Sequence, residues 1–249
     1  MSKPYLSVII PAYNEEKNIY NTLSDLRKEL KLLEYPTEII VVDDGSKDRT
    51  LEKAKKARDP SIRVLSYGQN HGKGYALSYG VKHSKGEVIT LFDAGGDFHP
   101  DHINRFIKLM QAFDADIVLG SKRHPASRVN YPWQRRLLSS VAKLAIWLLF
   151  RLNVSDTQVG LKVFKREILE KVIPRMRVKR YMFDLEMLVI AKKLGYNRIF
   201  EAPINMDWNG MSSSVKPGAV FKAAQDTAAI FYRCYITHYY DKPHIKVKE

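Results

Sequence analysis

The sequence predicts an α/β fold in which a mostly parallel sheet carries helices on both faces. Short runs rich in β-branched residues recur through the first half, and segments with a helical spacing of apolar residues lie between them. Such alternation is typical of parallel sheets that are covered on both sides. The length of 249 residues suits one large domain and leaves little room for a second core.

Five strands are expected in the first half of the chain. They cover residues 6–10, 38–42, 62–65, 87–92 and 116–119. Ligands of such sheets bind beyond the carboxyl ends of the strands. The residues that follow each run are therefore the candidates for chemistry.

Four helices are expected between these strands. In the first, apolar residues recur at positions 19, 23, 26, 30 and 33, and Pro36 ends the helix. The second covers about 47–58 with Ser46 as its N-cap, and the third covers 74–83. The fourth begins near Pro100 and is expected to bury the apolar residues Ile103, Phe106, Ile107 and Met110.

The second half of the chain is less regular. Residues 184–194 are typical of a helix that ends at Gly195, and a last helix is expected over about 219–235. The longest apolar stretch, 137–152, is too short and too charged to span a bilayer. It fits either a buried core helix or a helix that lies in a membrane surface. Residues 218–249 are expected to form an amphipathic helix and a basic tail.

The charge of the chain indicates an anionic partner. Lys and Arg number 41 against 27 Asp and Glu, which gives a net charge of +14. Nucleic acid, an acidic lipid or a polyphosphate substrate would suit this excess. Residues 117–155 contain no acidic residue. Cys234 is the only cysteine, which excludes an internal disulfide and favours a reducing, cytoplasmic compartment.

Polar residues follow the predicted strands at residues 11–16, 43–46, 70–74 and 93–97. A carboxylate at a strand end can accept hydrogen bonds from a base or a ribose. A lysine in a glycine-flanked loop can approach phosphate, and closely spaced aspartates can ligate Mg²⁺ or Mn²⁺. Each signal alone is weak, but together they predict a nucleotide site at one edge of the sheet. Aspartates at successive strand ends would repel a nucleic-acid backbone, so no nucleic-acid partner is expected.

The strings VIIPAYNEE, VVDDGSKDRT, NHGKGYA and DAGGD together resemble inverting family 2 glycosyltransferases with the Rossmann-like GT-A fold. Three later strings, SDTQVGLKVFKRE, FDLEMLVIAKKLGY and EAPINMDWNGMSSSVK, resemble the dolichyl-phosphate glucose and mannose synthase branch. The glucosyl members are more similar because of the DTQ-x-G-x-K-x-F string. The resemblance implies a GT-A domain over 1–217, with a nucleotide-binding half (1–120) and an acceptor half (121–217).

The resemblance also implies an activity. A hexose, expected to be glucose, would pass from UDP-glucose to a polyprenyl phosphate with inversion, and GDP-mannose is the alternative donor. The cofactor would be Mg²⁺ or Mn²⁺. The enzyme would bind peripherally to an anionic membrane surface on its cytoplasmic face.

Individual roles follow from the same resemblance. The base and ribose would contact Pro11, Tyr13, Glu15 and Asp43, with Asp44 supporting that loop and Lys73 near the nucleotide. Asp93 and Asp97 would form the metal site and serve catalysis. The acceptor phosphate would bind Arg123 and Arg135 or Arg136, and the acceptor side would include Asp156, Gln158 and Glu186, with Arg123 and Glu186 acting in catalysis.

One position departs from the family pattern. The metal motif is Asp-x-Asp, and Gly95 stands where the second Asp is expected. This predicts weaker metal binding and slower turnover. Two alternatives stay open: a transferase with a soluble acceptor, which would need Asp184 or Glu186 as a general base, and an impaired protein that only binds the sugar nucleotide.

Overall fold

A computed structural model describes residues 3–57, 59–129, 133–179, 182–206 and 217–242. The side chains of residues 133–139, 141 and 217 are outside this description, although the backbone there is helical.

The sheet confirms the mostly parallel α/β architecture. Seven strands form one sheet in the order β3-β2-β1-β4-β7-β5-β8, and β6 pairs with β9 separately. β7 runs antiparallel to both of its neighbours, while the other pairs in the large sheet are parallel. The strands are β1 (Leu6–Ala12), β2 (Thr37–Asp43), β3 (Ile62–Ser66), β4 (Val88–Phe92), β5 (Ile117–Ser121), β6 (Arg128–Val129), β7 (Leu161–Lys165), β8 (Ile199–Pro203) and β9 (Asn205–Met206).

Eight α-helices connect and cover these strands within the described ranges. They are α1 (Ile19–Leu30), α2 (Thr50–Lys56), α3 (Lys73–His83), α4 (Asp101–Ala112), α5 (Trp133–Phe150), α6 (Arg166–Val172), α7 (Phe183–Lys193) and α8 (Pro217–Phe231). A π-helical turn, Tyr232–Ile236, continues α8. Consecutive residues of β1, β2, β4, β5 and β7 are buried, as expected for strands that are covered on both faces.

The sequence pattern did not reveal α6, β6, β8, β9 or β7, and β7 is the strand among them that lies inside the large sheet. It follows β5 in the chain but lies between β4 and β5 in the sheet. The sheet therefore takes strands from both sides of residue 120, and the expected nucleotide and acceptor halves share one core.

The helices agree with their predicted positions, with two corrections. α4 buries Ile103, Phe106, Ile107 and Met110 as expected. α1 ends at Leu30 rather than at residue 33. α2 begins at Thr50, so Ser46 is not its N-cap. The N-cap residue is Arg49, and the Asp48 carboxylate before it accepts a hydrogen bond from the Thr50 amide at 3.0 Å.

The C-terminal extension packs on the domain through Tyr240. This side chain is fully buried, and its hydroxyl donates to Glu186 Oε1 at 2.6 Å. Arg233 lies 3.1 Å from the same carboxylate oxygen, and the Arg175 Nε–H donates to the Tyr240 carbonyl at 3.0 Å. The extension therefore belongs to the domain up to residue 242, and the basic tail over 243–249 lies outside the described residues.

Candidate active site

The loops after β1 and β2 are joined by reciprocal hydrogen bonds. The Asn14 amide donates to Ser46 Oγ at 3.0 Å, and Asn14 Oδ1 accepts from the Lys47 amide at 2.9 Å. The Glu15 amide donates to Thr50 Oγ1 at 2.7 Å. Asn14 has a φ of +56°, a conformation that asparagine tolerates better than most residues. These contacts hold Tyr13 and Glu15 at the edge of the sheet.

Asp44 organises the loop that precedes α3. Its buried carboxylate accepts four hydrogen bonds, from the Tyr67 hydroxyl (2.7 Å), the Asn70 side-chain amide (3.0 Å) and the backbone amides of His71 (2.8 Å) and Gly72 (2.9 Å). A carboxylate with four donors is already satisfied. Asp44 therefore supports the loop, as the family resemblance implies, and has little capacity left for a nucleotide.

Asp43 is buried one residue earlier, at the end of β2. Its Oδ2 accepts from the Ser66 hydroxyl at 3.0 Å, and its Oδ1 accepts from the Ser46 amide at 3.3 Å. Asp43 is 2% exposed and is not among the residues that line the cleft described next, so it lies behind the cleft rather than on its surface.

A cleft of about 320 Å³ opens at the carboxyl edge of the sheet. Seven of the predicted site residues line it, namely Pro11, Tyr13, Glu15, Asp44, Lys73, Asp93 and Asp97. The ends of β1, β2 and β4 and the start of α3 contribute these residues. The structure therefore brings the predicted nucleotide and metal residues together in one place.

Opposite charges meet in this cleft. Lys73 Nζ lies 2.5 Å from Asp93 Oδ1 and 5.7 Å from the centre of the Phe183 ring. Burial alone would lower the pKa of Lys73, but Asp93, Asp184 and Asp97 outweigh it and raise that pKa. Lys73 is therefore a permanent cation near neutral pH.

Two further carboxyl groups of the cleft are harder to ionise. Partial burial and the neighbouring Asp93 raise the pKa of Asp97, against the opposing effect of Lys122. Burial also raises the pKa of Glu15, although a hydrogen bond from Asn18 opposes that shift. A bound cation would relieve this crowding of negative charge.

Gly160 allows Asp93 to take its position. The Asp93 amide donates to the Gly160 carbonyl at 3.1 Å, and a Cβ on Gly160 would overlap the Asp93 carboxyl group. Gly160 lies immediately before β7, inside the DTQVGLK string. The sequence contains this signal, but only the antiparallel pairing of β7 with β4 shows its purpose.

Lys162 and Asp184 form a buried ion pair that the sequence did not reveal. Lys162 lies in the middle of β7, 2% exposed, and its Nζ is 2.6 Å from Asp184 Oδ1. Lys162 also donates to the Val159 carbonyl. Burial raises the pKa of Asp184, and Lys162 and Lys73 both oppose that shift. Both lysines therefore stabilise the ionised form of Asp184.

The acceptor side begins at the end of β5. Lys122 Nζ lies 3.4 Å from Asp156 Oδ2, and Arg123 donates to Ser140 Oγ of α5 at 2.8 Å. Gln158 Nε2 lies 3.1 Å from the Met182 sulfur. Arg135 and Arg136 are on α5, but their side chains are outside the described residues.

Glu186 does not reach the cleft. It is fully buried, and its Oε2 accepts from the backbone amides of Arg177 and Val178 at 2.8 and 2.7 Å. Its Oε1 takes the Tyr240 hydroxyl described above. The geometry does not support the predicted catalytic part for Glu186, because the carboxylate serves to hold a loop and the C-terminal extension.

The residues at the metal position suit a divalent ion only in part. Among the described residues, no cluster of three or more His, Cys, Asp or Glu side chains could hold a metal. Asp93 and Asp97 both face the cleft, and one or two carboxylates can hold Mg²⁺ or Mn²⁺ together with substrate phosphates. A Cβ on Gly95 would lie 3.6 Å from Asp97 Oδ2, so a side chain at position 95 would point toward the same place.

Comparison with known proteins identifies the family to which this fold and its charged cleft belong. Residues 7–173 match the profile of glycosyl transferase family 2. The chain therefore belongs to this family, and it is a glycosyltransferase.

Two relatives by sequence have names that include a lipid phosphate. A dolichyl-phosphate beta-glucosyltransferase of Trichomonas vaginalis is 35% identical over 243 residues, which are 92% of this chain and 74% of the relative. An undecaprenyl-phosphate mannosyltransferase of Micrococcus luteus is 30% identical over 219 residues, which are 85% of this chain and 87% of the relative.

A solved structure with a similar fold is the glucosyl-3-phosphoglycerate synthase of Mycobacterium tuberculosis in complex with Mn²⁺, UDP-glucose and phosphoglyceric acid. It superposes with a TM-score of 0.70 at 20% identity and covers 96% of this chain and 81% of that one. At this identity the likeness concerns the fold.

Replacing Gly160→Ala should lower transfer activity by about 100-fold, because a displacement of the Asp93 carboxylate by about 1 Å is enough for such a loss. A radiochemical transfer assay measures the effect. Gly218→Ala is the control, since a Cβ on Gly218 meets no atom of the described residues within 4 Å. Full activity in a folded Gly160→Ala protein, checked by circular dichroism, would show that the position of Asp93 is not critical.

Proposed function

We propose that this protein transfers a hexose, glucose in preference to mannose, from a nucleoside-diphosphate sugar to a polyprenyl phosphate at a membrane surface. The observation that carries the proposal is the pair of cations at the end of β5. Lys122 and Arg123 follow the carboxyl end of β5, in a stretch of chain without acidic residues, and Lys122 is close enough to Asp97 of the cleft to oppose the rise of its pKa. The identity of 35% with a dolichyl-phosphate beta-glucosyltransferase supports the same acceptor class.

The donor would lie in the cleft that Asp44 and its loop shape. Tyr13 is 41% exposed at the rim and can stack on a base, and the base N–H would donate to Asp43 at the end of β2. Lys73 would then face the diphosphate. Mg²⁺ or Mn²⁺, held by Asp93 and Asp97 together with phosphate oxygens, would offset the charge that develops on the leaving diphosphate.

The acceptor phosphate needs positioning more than activation. A phosphate monoester is already anionic near neutral pH, so its oxygen can attack the anomeric carbon without a general base. The bond from that carbon to the diphosphate oxygen breaks, and the nucleoside diphosphate leaves with the electron pair. Arg123 can hold the acceptor phosphate through two hydrogen bonds, and Arg135 or Arg136 would be the second contact.

A soluble acceptor with a sugar hydroxyl is the alternative, and it would require a base. Of the two candidates, Glu186 is satisfied by backbone amides and the Tyr240 hydroxyl, and Asp184 is paired with Lys162. Neither carboxylate lines the described cleft. This arrangement favours an acceptor that brings its own negative charge.

Exposed apolar side chains support action at a membrane surface. No described helix is long and apolar enough to cross a membrane. On α5, Leu144, Trp147 and Leu148 are exposed, while Ile146 and Phe150 are buried. The core-helix interpretation therefore holds for only one side of α5.

α8 extends this apolar surface next to α5. Phe221 and Tyr232 are exposed, as is Ile236 in the π-helical turn. The two helices meet where the Phe150 ring lies 6.3 Å from Phe231 and 6.4 Å from Tyr235. Apolar faces of this kind, in a chain with a charge of +14, suit the surface of an anionic membrane on its cytoplasmic side.

The purified protein should convert a short polyprenyl phosphate and UDP-glucose into the polyprenyl-phosphate sugar, more rapidly than with GDP-mannose. Thin-layer chromatography of the lipid product, with Mn²⁺ or Mg²⁺ present, measures this. Transfer to simple sugars or phosphorylated small molecules instead of the lipid would contradict the proposed acceptor.

Two variants separate the donor and acceptor sides in the same assay. Asp43→Ala should weaken UDP binding roughly tenfold or more, because the loss of a buried acceptor costs about 1–3 kcal/mol.

Arg123→Ala should leave UDP affinity unchanged in calorimetry and raise the KM for the lipid phosphate. A fall in UDP affinity in Arg123→Ala would place that side chain on the diphosphate side.

The protein should float with anionic liposomes at low salt and be released as salt rises, because screening weakens its attraction to the surface. The double replacement Leu148→Ser with Phe221→Ser, at side chains 56% and 65% exposed, should reduce flotation strongly. Leu32→Ser is the matched control, since Leu32 is 75% exposed but follows α1. Equal flotation of the unaltered protein, the double variant and Leu32→Ser would show that the exposed side chains of α5 and α8 do not bind the membrane.

A further inference from the structure

A cation already occupies the carboxylate at which a divalent metal is expected. Lys73 Nζ contacts Asp93 Oδ1 at 2.5 Å, the distance of a tight ion pair. A metal ion bound to Asp93 and the Lys73 ammonium would repel each other if both stayed there. The two cations therefore compete for one carboxylate.

The backbone fixes Lys73 in this position. It is the first residue of α3, and Gly72 before it has a φ of +95°, which glycine adopts without strain. The amide of Gly74 donates to the Lys179 carbonyl at 3.0 Å, and a Cβ on Gly74 would lie 3.0 Å from Phe183 Cβ. These contacts hold the start of α3 against α7, and the Lys73 side chain, 38% exposed, lies at the cleft with its Nζ 5.7 Å from the centre of the Phe183 ring.

Each of two neighbouring carboxylates pairs with its own lysine. Lys162 Nζ lies 2.6 Å from Asp184 Oδ1, and Lys73 Nζ lies 2.5 Å from Asp93 Oδ1. The Lys73 ammonium is therefore a counterion of Asp93.

Glycine at position 95 weakens the binding of the divalent metal that competes with Lys73. With glycine there, the metal position offers a divalent ion the carboxylates of Asp93 and Asp97 and none from residue 95. Mg²⁺ and Mn²⁺ would have to displace Lys73 with few protein ligands in return.

We propose that Lys73 is the resident cation of the donor site: its ammonium binds the donor diphosphate directly and competes with divalent metal for Asp93. Nucleotide binding in this chain then persists without metal. This inference rests on the proposed function, since it concerns how a nucleoside diphosphate is held.

The competition predicts effects of opposite sign on two ligands. Lys73→Met should weaken UDP binding in a chelator, because the diphosphate loses its cation. The same variant should tighten Mn²⁺ binding, because Asp93 becomes free. A lysine that only stabilised the loop would weaken both when removed.

The test measures UDP affinity by calorimetry, in EDTA and in Mn²⁺, and Mn²⁺ affinity by electron paramagnetic resonance without nucleotide. In EDTA the unaltered protein should bind UDP, Lys73→Met should lose roughly tenfold or more, and Lys73→Arg should retain most of the affinity. Mn²⁺ should bind Lys73→Met several-fold more tightly than the unaltered protein. Lys108→Met, which removes a charge from the exposed face of α4, should change neither value.

Two results would overturn the inference while leaving the proposed function intact. One is UDP binding by the unaltered protein in Mn²⁺ but not in EDTA. The other is a folded Lys73→Met protein that binds Mn²⁺ no more tightly than its parent. Absence of UDP and GDP binding under both conditions would instead contradict the proposed function itself.

Discussion

The close pairing of β7 with β4 is the constraint on which the candidate site depends. β7 enters the sheet antiparallel, with Leu91 opposite Lys162 and Phe92 opposite Leu161. This register places the Gly160 carbonyl against the Asp93 amide and leaves no room for a Cβ at position 160. The same strand carries Lys162 to Asp184. One short strand therefore positions both the carboxylate of the cleft and the ion pair behind it.

Buried charge of this kind is stable only when each group keeps its partner. Removing one member of a buried pair leaves an uncompensated charge, which is strongly destabilising. Lys162 with Asp184 meets this requirement, and Glu186 meets it through Tyr240 and Arg233. Lys73 and Asp93 are partly exposed, so solvent also stabilises their charges.

Local patterns predicted the parts of the site that lie at strand ends. The parallel arrangement of β1, β2 and β4 brings Tyr13, Asp44 and Asp93 to one edge, and that outcome follows from strand–helix alternation alone. The inserted strand could not be predicted in this way, because its pairing joins residues about 70 positions apart.

Long-range partners explain the other differences from the sequence predictions. Glu186 lies in a motif that predicts a site residue. Its carboxylate instead accepts a hydrogen bond from the hydroxyl of Tyr240, 54 residues later in the chain. Lys162 looks like an ordinary polar position of a strand until Asp184 is placed beside it. Ser46 looks like an N-cap, but its hydroxyl accepts from Asn14, on the preceding β1 loop.

The most direct test of the donor cleft is a crystal structure with UDP bound. The base should lie against Tyr13 near Asp43, and a diphosphate oxygen should lie within hydrogen-bond distance of Lys73 Nζ. A larger cavity of about 580 Å³ lies between α3 and α6 and includes Lys82, Arg166 and Lys179 in its lining. Density for the nucleotide in that cavity, with the cleft at Lys73 and Asp93 empty, would contradict the assignment of the donor site.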